Sequence, residues 1–428
     1  MIKKPFFSCG KPKLKYPVIQ HYEKDAIEEV PLPAKVTLFL DGPYFDIDDK
    51  ILKKGDEVKT GQKITITEEG DKYFIATATG AIDDISEYIG YLGRSYFSIS
   101  VKTGNEEQRD NEFKKISNTA SPENVKQFLD CLPGEPDFTS IIRPEASFNT
   151  IVIYGIDRDL LVTTNQLIVK TESENLKKGI TYLREITNTN QIILIVPPWL
   201  LSDAGKIGAE IKVVNPAYPD TLPEIIIKNV FNKIVPAGKS YKEMGICFIN
   251  AEAVAALGEA FSRGEIPVNK ILTVINKDGT SFNMKARIGT PVKDILASLN
   301  LETNHGDRLV LGGPMTGNSI YSEDIPVLSD TDAIMIQDKS QIVSNPDIPC
   351  INCGECVRVC PSNVPVNMLV RLLENGLYEE AVEEYDLLSC IECGLCAYVC
   401  VAQIPVFHYI ILGKYEYEKM KSMEESHA

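Results

Sequence analysis

Apolar and polar residues alternate over short runs in the first quarter of the chain. The runs VTLFL, KITIT, YFIATA and SYFSISV lie between residues 36 and 101, and glycine-containing turns separate them. A period of two residues broken by such turns is typical of β-strands. The pattern predicts a small all-β unit over 35–103. A segment rich in Lys and Pro precedes it and is predicted to form an extended arm over 1–34.

Strand-like and helix-like patterns alternate through the centre of the chain, after a polar linker over 104–122. The strand-like runs are 151–154, 192–196 and 211–214, and a helix is predicted over 251–263. Strands alternating with helices predict a parallel sheet with covering helices, here over 123–265. A β, β, α, β order then predicts a small mixed domain of β-grasp type over 266–325.

The last part of the chain has a helical period. Between 368 and 388 apolar residues recur at steps of three and four, and Gly376 divides this segment into two short antiparallel helices. The tail over 416–428 is charged and predicted to fray. The patterns together predict a multidomain protein of α/β and α+β class, with a helical domain over 340–415.

Charge and composition exclude several classes of function. The 44 basic and 60 acidic side chains leave a net charge of −16, which repels nucleic acid and anionic lipid. No run approaches the roughly 20 apolar residues of a membrane span, and the N-terminus has no apolar signal core. We therefore expect a cytoplasmic protein, peripheral to the cytoplasmic membrane face at most, that contacts the membrane only through partners.

Eight of the eleven cysteines fall in two runs with identical spacing. The runs CINCGECVRVCPSNVP and CIECGLCAYVCVAQIP both read C-x₂-C-x₂-C-x₃-C, the spacing of bacterial ferredoxins. Three thiolates at this interval can surround three corners of an iron–sulfur cubane. Gly354 and Gly394 follow the second cysteine of each run and let the backbone approach the cluster. The fourth cysteine begins the next helix and usually serves the other cluster in two-cluster proteins.

This crossed arrangement predicts two metal sites. The ligands of one [4Fe–4S] cluster are predicted to be Cys350, Cys353, Cys356 and Cys400. The ligands of the other are predicted to be Cys390, Cys393, Cys396 and Cys360. Paired C-x-x-C motifs also bind zinc, but zinc needs four ligands from two pairs, whereas each run supplies a third and a fourth cysteine. The long segment between Cys360 and Cys390 fits a helical ferredoxin with a helix pair between its motifs.

Several motifs along the chain resemble the RnfC-like family, which comprises one of the subunits of the Rnf ferredoxin:NAD oxidoreductase complex and its relatives. The resemblance runs from GDEVKTGQKI through GICFINAEAVAALGEAF, IGTPVKDIL and LVLGGPMTG to both cysteine runs. It implies four folded domains: a barrel-sandwich domain, a Rossmann-like domain similar to the flavin subunit of respiratory complex I, an SLBB-like β-grasp domain and a dicluster ferredoxin domain. It also implies a redox complex of anaerobic metabolism.

The same resemblance implies FMN and NADH in the central domain, but the sequence departs from the family there. The glycine-rich loop GxGGAGFP is replaced by CLPGEPDFTSIIRPEA, which keeps only Gly134. Pro133 and Pro136 lack backbone donors, and Glu135 adds negative charge where a phosphate would lie. The acidic element that follows in the family is replaced by Asp157, Arg158 and Asp159. We expect a degenerate flavin pocket kept as a scaffold, with FMN possible but not expected.

A second glycine-rich stretch, GGPMTG, contains Gly312, Gly313 and Gly317. It ends a β-grasp strand and no helix follows, so a structural turn is predicted rather than a phosphate loop.

Three functions remain open from the sequence. The leading one is an electron-transfer subunit, not catalytic by itself, that relays single electrons through two [4Fe–4S] clusters. Its partners would be a ferredoxin or flavoprotein donor and a catalytic oxidoreductase in a larger complex. The alternative is an NADH-oxidising, FMN-containing subunit. The third is an assembly scaffold with structural clusters.

Overall fold

A computed structural model describes most of the chain. The described residues are 12, 14–18, 27–41, 52–67, 72–117, 122–134, 136, 138–142, 148–187, 189, 191–343 and 348–427. Glu135, and most of the predicted arm over 1–34, lie outside them.

The alternating residues of the first quarter form an antiparallel β unit. The strands up to residue 103 are β1 (Glu28–Glu29), β2 (Lys35–Asp41), β3 (Glu57–Val58), β4 (Lys63–Thr65), β5 (Tyr73–Ile75), β6 (Gly80–Ile89) and β7 (Ser95–Thr103). Four of them make a sheet in the order β2-β7-β6-β3, and β4 pairs with β5. Val36, Ile99 and Val101 are fully buried in the core of this unit.

Continuous apolar runs form a four-stranded parallel sheet in the centre of the chain. The elements are α1 (Glu112–Ser117), α2 (Pro122–Leu129), α3 (Phe138–Ile141), β8 (Thr150–Tyr154), α4 (Thr164–Thr171), α5 (Ser173–Thr187), β9 (Gln191–Val196), α6 (Leu201–Ala204), β10 (Glu210–Val213), α7 (Pro223–Phe231), β11 (Ile246–Asn250) and α8 (Ala251–Arg263). The strand order is β10-β9-β8-β11. Every residue of β8 is buried, as expected for a parallel strand covered on both faces.

The next domain is a mixed sheet with one helix. Its elements are β12 (Asn269–Ile275), β13 (Ser281–Arg287), α9 (Val292–Ser298), β14 (Arg308–Leu311), β15 (Asn318–Ile320) and β16 (Ala333–Gln337). The strand order is β1-β13-β12-β16-β14-β15, so the predicted arm contributes the edge strand β1.

The C-terminal domain is helical. Its helices are α10 (Glu355–Val359), α11 (Val366–Glu374), α12 (Tyr378–Glu383), α13 (Leu395–Val399) and α14 (Val406–His427). The helix pair predicted around Gly376 is present as α11 and α12, and α10 packs against α13. The chain is therefore a mixed α/β multidomain protein with a helical cysteine-rich domain at its end.

The structure differs from the predicted divisions at three places. The predicted linker contains α1, which is anchored by the buried Phe113 against Phe128 at 5.7 Å between ring centroids. The mixed sheet extends past residue 325 to β16 because Ile334 and Ile336 continue its core. The predicted frayed tail belongs to α14, where Lys421 and Glu424 pair one turn apart.

The cysteine-rich domain packs against one face of the central sheet. Along β8, Ile151 and Ile153 face the core shared with α4, α5 and α8. Val152 and Tyr154 face the opposite side, in a core that includes Cys393 of the second cysteine run. The alternation of side chains along one strand therefore joins the central domain to the candidate metal centre.

Candidate metal centre

The two cysteine runs have the same local backbone. Gly354 and Gly394 take left-handed conformations with φ of +74° and +68°, and each one immediately precedes a five-residue helix, α10 or α13. The fourth cysteines, Cys360 and Cys400, end these helices in extended conformation. The expectation that each one begins the next helix was wrong, because α11 and α14 begin only at Val366 and Val406. The left-handed glycine turns the chain sharply, so the first three cysteines of a run lie around one turn.

The first group of thiols combines both runs. One cavity is lined by Cys350, Cys353, Cys356 and Cys400, together with apolar side chains that include Val370 and Ile404. Burial raises the pKa of the Cys356 thiol to about 11, and the neighbouring thiols of Cys353 and Cys400 add to the rise. The structure thus brings three cysteines of the first run to the last cysteine of the second.

The second group is more deeply buried. Burial raises the pKa of Cys393 to about 12, and the nearby thiols of Cys390 and Cys360 raise it further. The pKa of Cys396 is also raised, first by burial and then by Cys390 and Cys393. Cys356 of the first group also raises the pKa of Cys396, so the two groups are close neighbours.

The described thiols form two groups of four, which is the number of thiolates that a [4Fe–4S] cluster takes, one on each iron. Among the described residues, no group of three or more His, Cys, Asp or Glu side chains is placed to hold a single metal ion.

The backbone of the second group is held by side chains from distant parts of the chain. The Tyr218 hydroxyl donates to the Cys393 carbonyl at 2.7 Å. The Lys414 ammonium donates to the Cys390 carbonyl at 2.6 Å and pairs with Glu392 at 2.7 Å. The Glu392 N–H donates to the Cys390 sulfur at 3.4 Å. Neither Tyr218 nor Lys414 belongs to a motif in the sequence, so sequence reasoning missed both.

The GGPMTG stretch is a structural turn, as predicted. Its Met315 and Thr316 N–H groups donate to the Asp159 carboxylate at 3.1 and 2.8 Å, and the Thr316 hydroxyl donates to the same group at 2.7 Å. Asp159 is buried, and burial raises its pKa. Because an internal carboxylate takes these donors, the loop has none of them left for a phosphate.

The described residues of the degenerate flavin loop make their hydrogen bonds within the protein. The Gly134 N–H donates to the Ser329 carbonyl at 2.8 Å, and Pro133 and Pro136 have no N–H to offer. The buried Asp157 carboxylate accepts from the Asn165 N–H at 2.7 Å at the start of α4. These groups are satisfied within the protein, and the predicted contribution of Glu135 lies outside the described residues.

A large cavity borders the second group. Its volume is about 1600 Å³, and it is lined by the β unit, the central domain, the mixed sheet and the cysteine-rich domain. Cys390 and Glu392 line its wall, and the stacked rings of Tyr88 and Tyr321 line another part. None of the four cysteines of the first group lines this cavity.

No helix in the described part of the chain has the length and apolar character needed to cross a membrane.

Comparison with known proteins agrees with the geometry of the thiols. The model of a family described as a 4Fe-4S dicluster domain matches residues 341–401. This match and the cysteine-rich helical domain indicate that the chain is a [4Fe–4S] protein.

The curated relatives extend the similarity to most of the chain. A subunit of the proton-translocating ferredoxin:NAD(+) oxidoreductase complex of Clostridium ljungdahlii is 26% identical over 391 residues, covering 85% of this chain and 84% of the relative. The corresponding components of the ion-translocating oxidoreductase complexes of Buchnera aphidicola and Rhodobacter capsulatus are both 24% identical, covering 84% and 78% of this chain and 79% and 69% of the relatives. The resemblance to the RnfC-like family is confirmed.

Among solved structures, the chain is similar to an NAD+-reducing [NiFe]-hydrogenase in the H2-reduced state. The identity is 13% and the TM-score 0.47, with 71% of this chain and 65% of that chain covered.

Proposed function

We propose that this chain is an electron-transfer subunit that relays single electrons through two [4Fe–4S] clusters. The observation that carries the proposal is the cavity lined by Cys350, Cys353, Cys356 and Cys400. Three thiols come from one run and the fourth from the other, which is the crossed ligand set of two-cluster ferredoxins. The remaining set is Cys360, Cys390, Cys393 and Cys396.

The clusters would supply one-electron oxidation and reduction, and the residues of this chain hold them and limit their exposure. The pKa of Cys356 and Cys393 lies well above neutrality, so these thiols lose their protons only as metal binds. The effect of Cys356 on the pKa of Cys396 supports two clusters close enough for rapid electron exchange.

The large cavity supports an entry or exit point at the second cluster. It borders Cys390 and Glu392 and does not reach the first group. A donor or acceptor in this cavity would exchange electrons with the second cluster first, and the first cluster would face the other partner.

The names of the relatives support a redox complex as the setting. The Clostridium ljungdahlii relative belongs to a ferredoxin:NAD(+) oxidoreductase complex. We propose that this chain likewise works between a ferredoxin or flavoprotein and a catalytic oxidoreductase, and that any membrane contact is made by partners. The finer domain assignments, namely barrel-sandwich, Rossmann-like, SLBB-like and dicluster ferredoxin, belong to the same proposal, supported by the order of sheets and helices.

The test is analysis of protein purified without oxygen. We expect about eight iron atoms per chain, a broad visible absorption without resolved flavin bands, and bleaching by dithionite but not by NADH. Resolved flavin bands with rapid bleaching by NADH would support the NADH-oxidising alternative. Clusters that dithionite cannot reduce would support the scaffold, and colourless protein containing zinc would exclude all three.

A further inference from the structure

The two cysteine runs differ in what covers their backbone. A Cβ atom built on Gly354 of the first run would meet nothing within 4 Å. A Cβ atom built on Gly394, at the same place in the second run, would lie 2.4 Å from the Met315 carbonyl oxygen. The backbone of the second run is therefore covered by the 312–317 loop, and that of the first run is open.

The central domain holds this loop in place. Asp159 lies beyond the C-terminal end of β8, and its carboxylate accepts hydrogen bonds from the N–H groups of Met315 and Thr316. A Cβ atom on Gly313 would lie 2.5 Å from the Asp159 carboxylate carbon, so the loop and the carboxylate are in close contact. The position of the Met315 carbonyl over Gly394 thus depends on Asp159.

A second contact from the central domain reaches the run directly. Tyr218 is 4% exposed and its hydroxyl donates to the Cys393 carbonyl at 2.7 Å. Its ring lies 6.2 Å from the ring of Tyr16, whose hydroxyl donates to the Arg158 carbonyl at 3.0 Å. The first run has no such contact with the central domain among the described hydrogen bonds.

We propose that Tyr218 and Asp159 are positioning residues that set the potential of the cluster at the second group, and only of that cluster. The inference rests on the proposed function. Hydrogen bonds and enclosure around a cluster determine its potential. The hydrogen bond from the Tyr218 hydroxyl offsets the negative charge on the Cys393 carbonyl. This stabilises the reduced, more negative form of the cluster. Removing the hydroxyl lowers the midpoint potential of this cluster.

The test compares Tyr218→Phe with Tyr154→Phe. Tyr154 lies in the same apolar core and is 2% exposed, but its hydroxyl has no hydrogen-bond partner among the described residues. Midpoint potentials are measured by redox titration followed by electron paramagnetic resonance, with iron content measured on the same samples. We expect Tyr218→Phe to lower one of two midpoint potentials and leave the other unchanged, with iron still at about eight atoms. Tyr154→Phe is expected to change neither potential.

Asp159→Asn is the second variant, because it keeps the size of the side chain while weakening its acceptance from Met315 and Thr316. It is expected to shift the same transition as Tyr218→Phe by a smaller amount. Equal shifts of both transitions, no shift in Tyr218→Phe, or loss of half the iron would overturn the inference. Wild-type protein without reducible clusters would instead contradict the proposed function, so the two failures are distinguishable.

Discussion

The first and second cysteine runs share one spacing and one local backbone, yet their surroundings differ. In the first run, Ile351 is 50% exposed and Gly354 faces open space. In the second run, Cys393 and Leu395 lie in a core shared with the central sheet, and Met315 covers Gly394. The comparison teaches that identical ligand motifs can be given different environments by the domains packed around them. Four predictions test how far the two runs differ.

The largest effect is expected from removing one thiol of each group. Cys353→Ala and Cys393→Ala should each reduce the iron content from about eight to about four atoms per chain, because each removes a ligand from a different cluster. Iron is measured on protein purified without oxygen. Cys247→Ala is the matched control, since Cys247 is buried and lies outside both runs, and it should leave iron unchanged. Iron that stays at about eight in either ligand variant contradicts the assigned groups.

The second prediction concerns the two glycines. Alanine at a left-handed position costs roughly 1–2 kcal/mol, so both Gly354→Ala and Gly394→Ala should lower the free energy of unfolding by that amount. Gly394→Ala should cost about 1–3 kcal/mol more because its methyl group meets the Met315 carbonyl. Denaturant unfolding of both variants measures the difference. Equal losses would show that the 312–317 loop does not restrain the second run.

The third prediction uses thiol reactivity in iron-free protein. A raised pKa keeps a thiol protonated and unreactive until the pH approaches that pKa. Burial raises the pKa of Cys356 to about 11 and that of Cys393 to about 12, so both thiols are mostly protonated at pH 9. Alkylation by iodoacetamide, followed by peptide mass spectrometry, should be faster at Cys356, which is also less buried than Cys393. The alkylation rates of both cysteines should rise with pH. Equal rates at Cys356 and Cys393 would contradict the prediction that the two runs differ in thiol reactivity.

The smallest effect is expected from the charged side chains beside the runs. Lys414→Met removes the donor to the Cys390 carbonyl and should lower the free energy of unfolding by about 1–2 kcal/mol. Arg358→Ala in the first run breaks only an ion pair with Glu355, in which Arg358 is 58% exposed, and should change it by less than about 0.5 kcal/mol. Thermal unfolding measures the loss of stability in both variants. A larger loss in Arg358→Ala than in Lys414→Met would contradict the prediction.

Much of the fold followed from local patterns. The helix predicted over 251–263 is observed as α8 with the same bounds, and the three predicted runs form β8, β9 and β10 of the parallel sheet, whereas its strand β11 was not predicted. These patterns were readable because burial on one or two faces imposes a period on the sequence. The strand β1 was missed because two exposed glutamates carry no such period. The helix α1 was missed because only Phe113 marks its buried face.

The sequence alone predicted the chemistry of the candidate site, because the spacing of the eight cysteines indicates which thiols could share a cluster. Only the tertiary structure decided the surroundings of each group. Tyr218 and Cys393 are 175 residues apart, and Asp159 and Met315 are 156 apart. Contacts over such separations leave no local pattern, since they depend on how the faces of one sheet are covered and not on neighbouring residues.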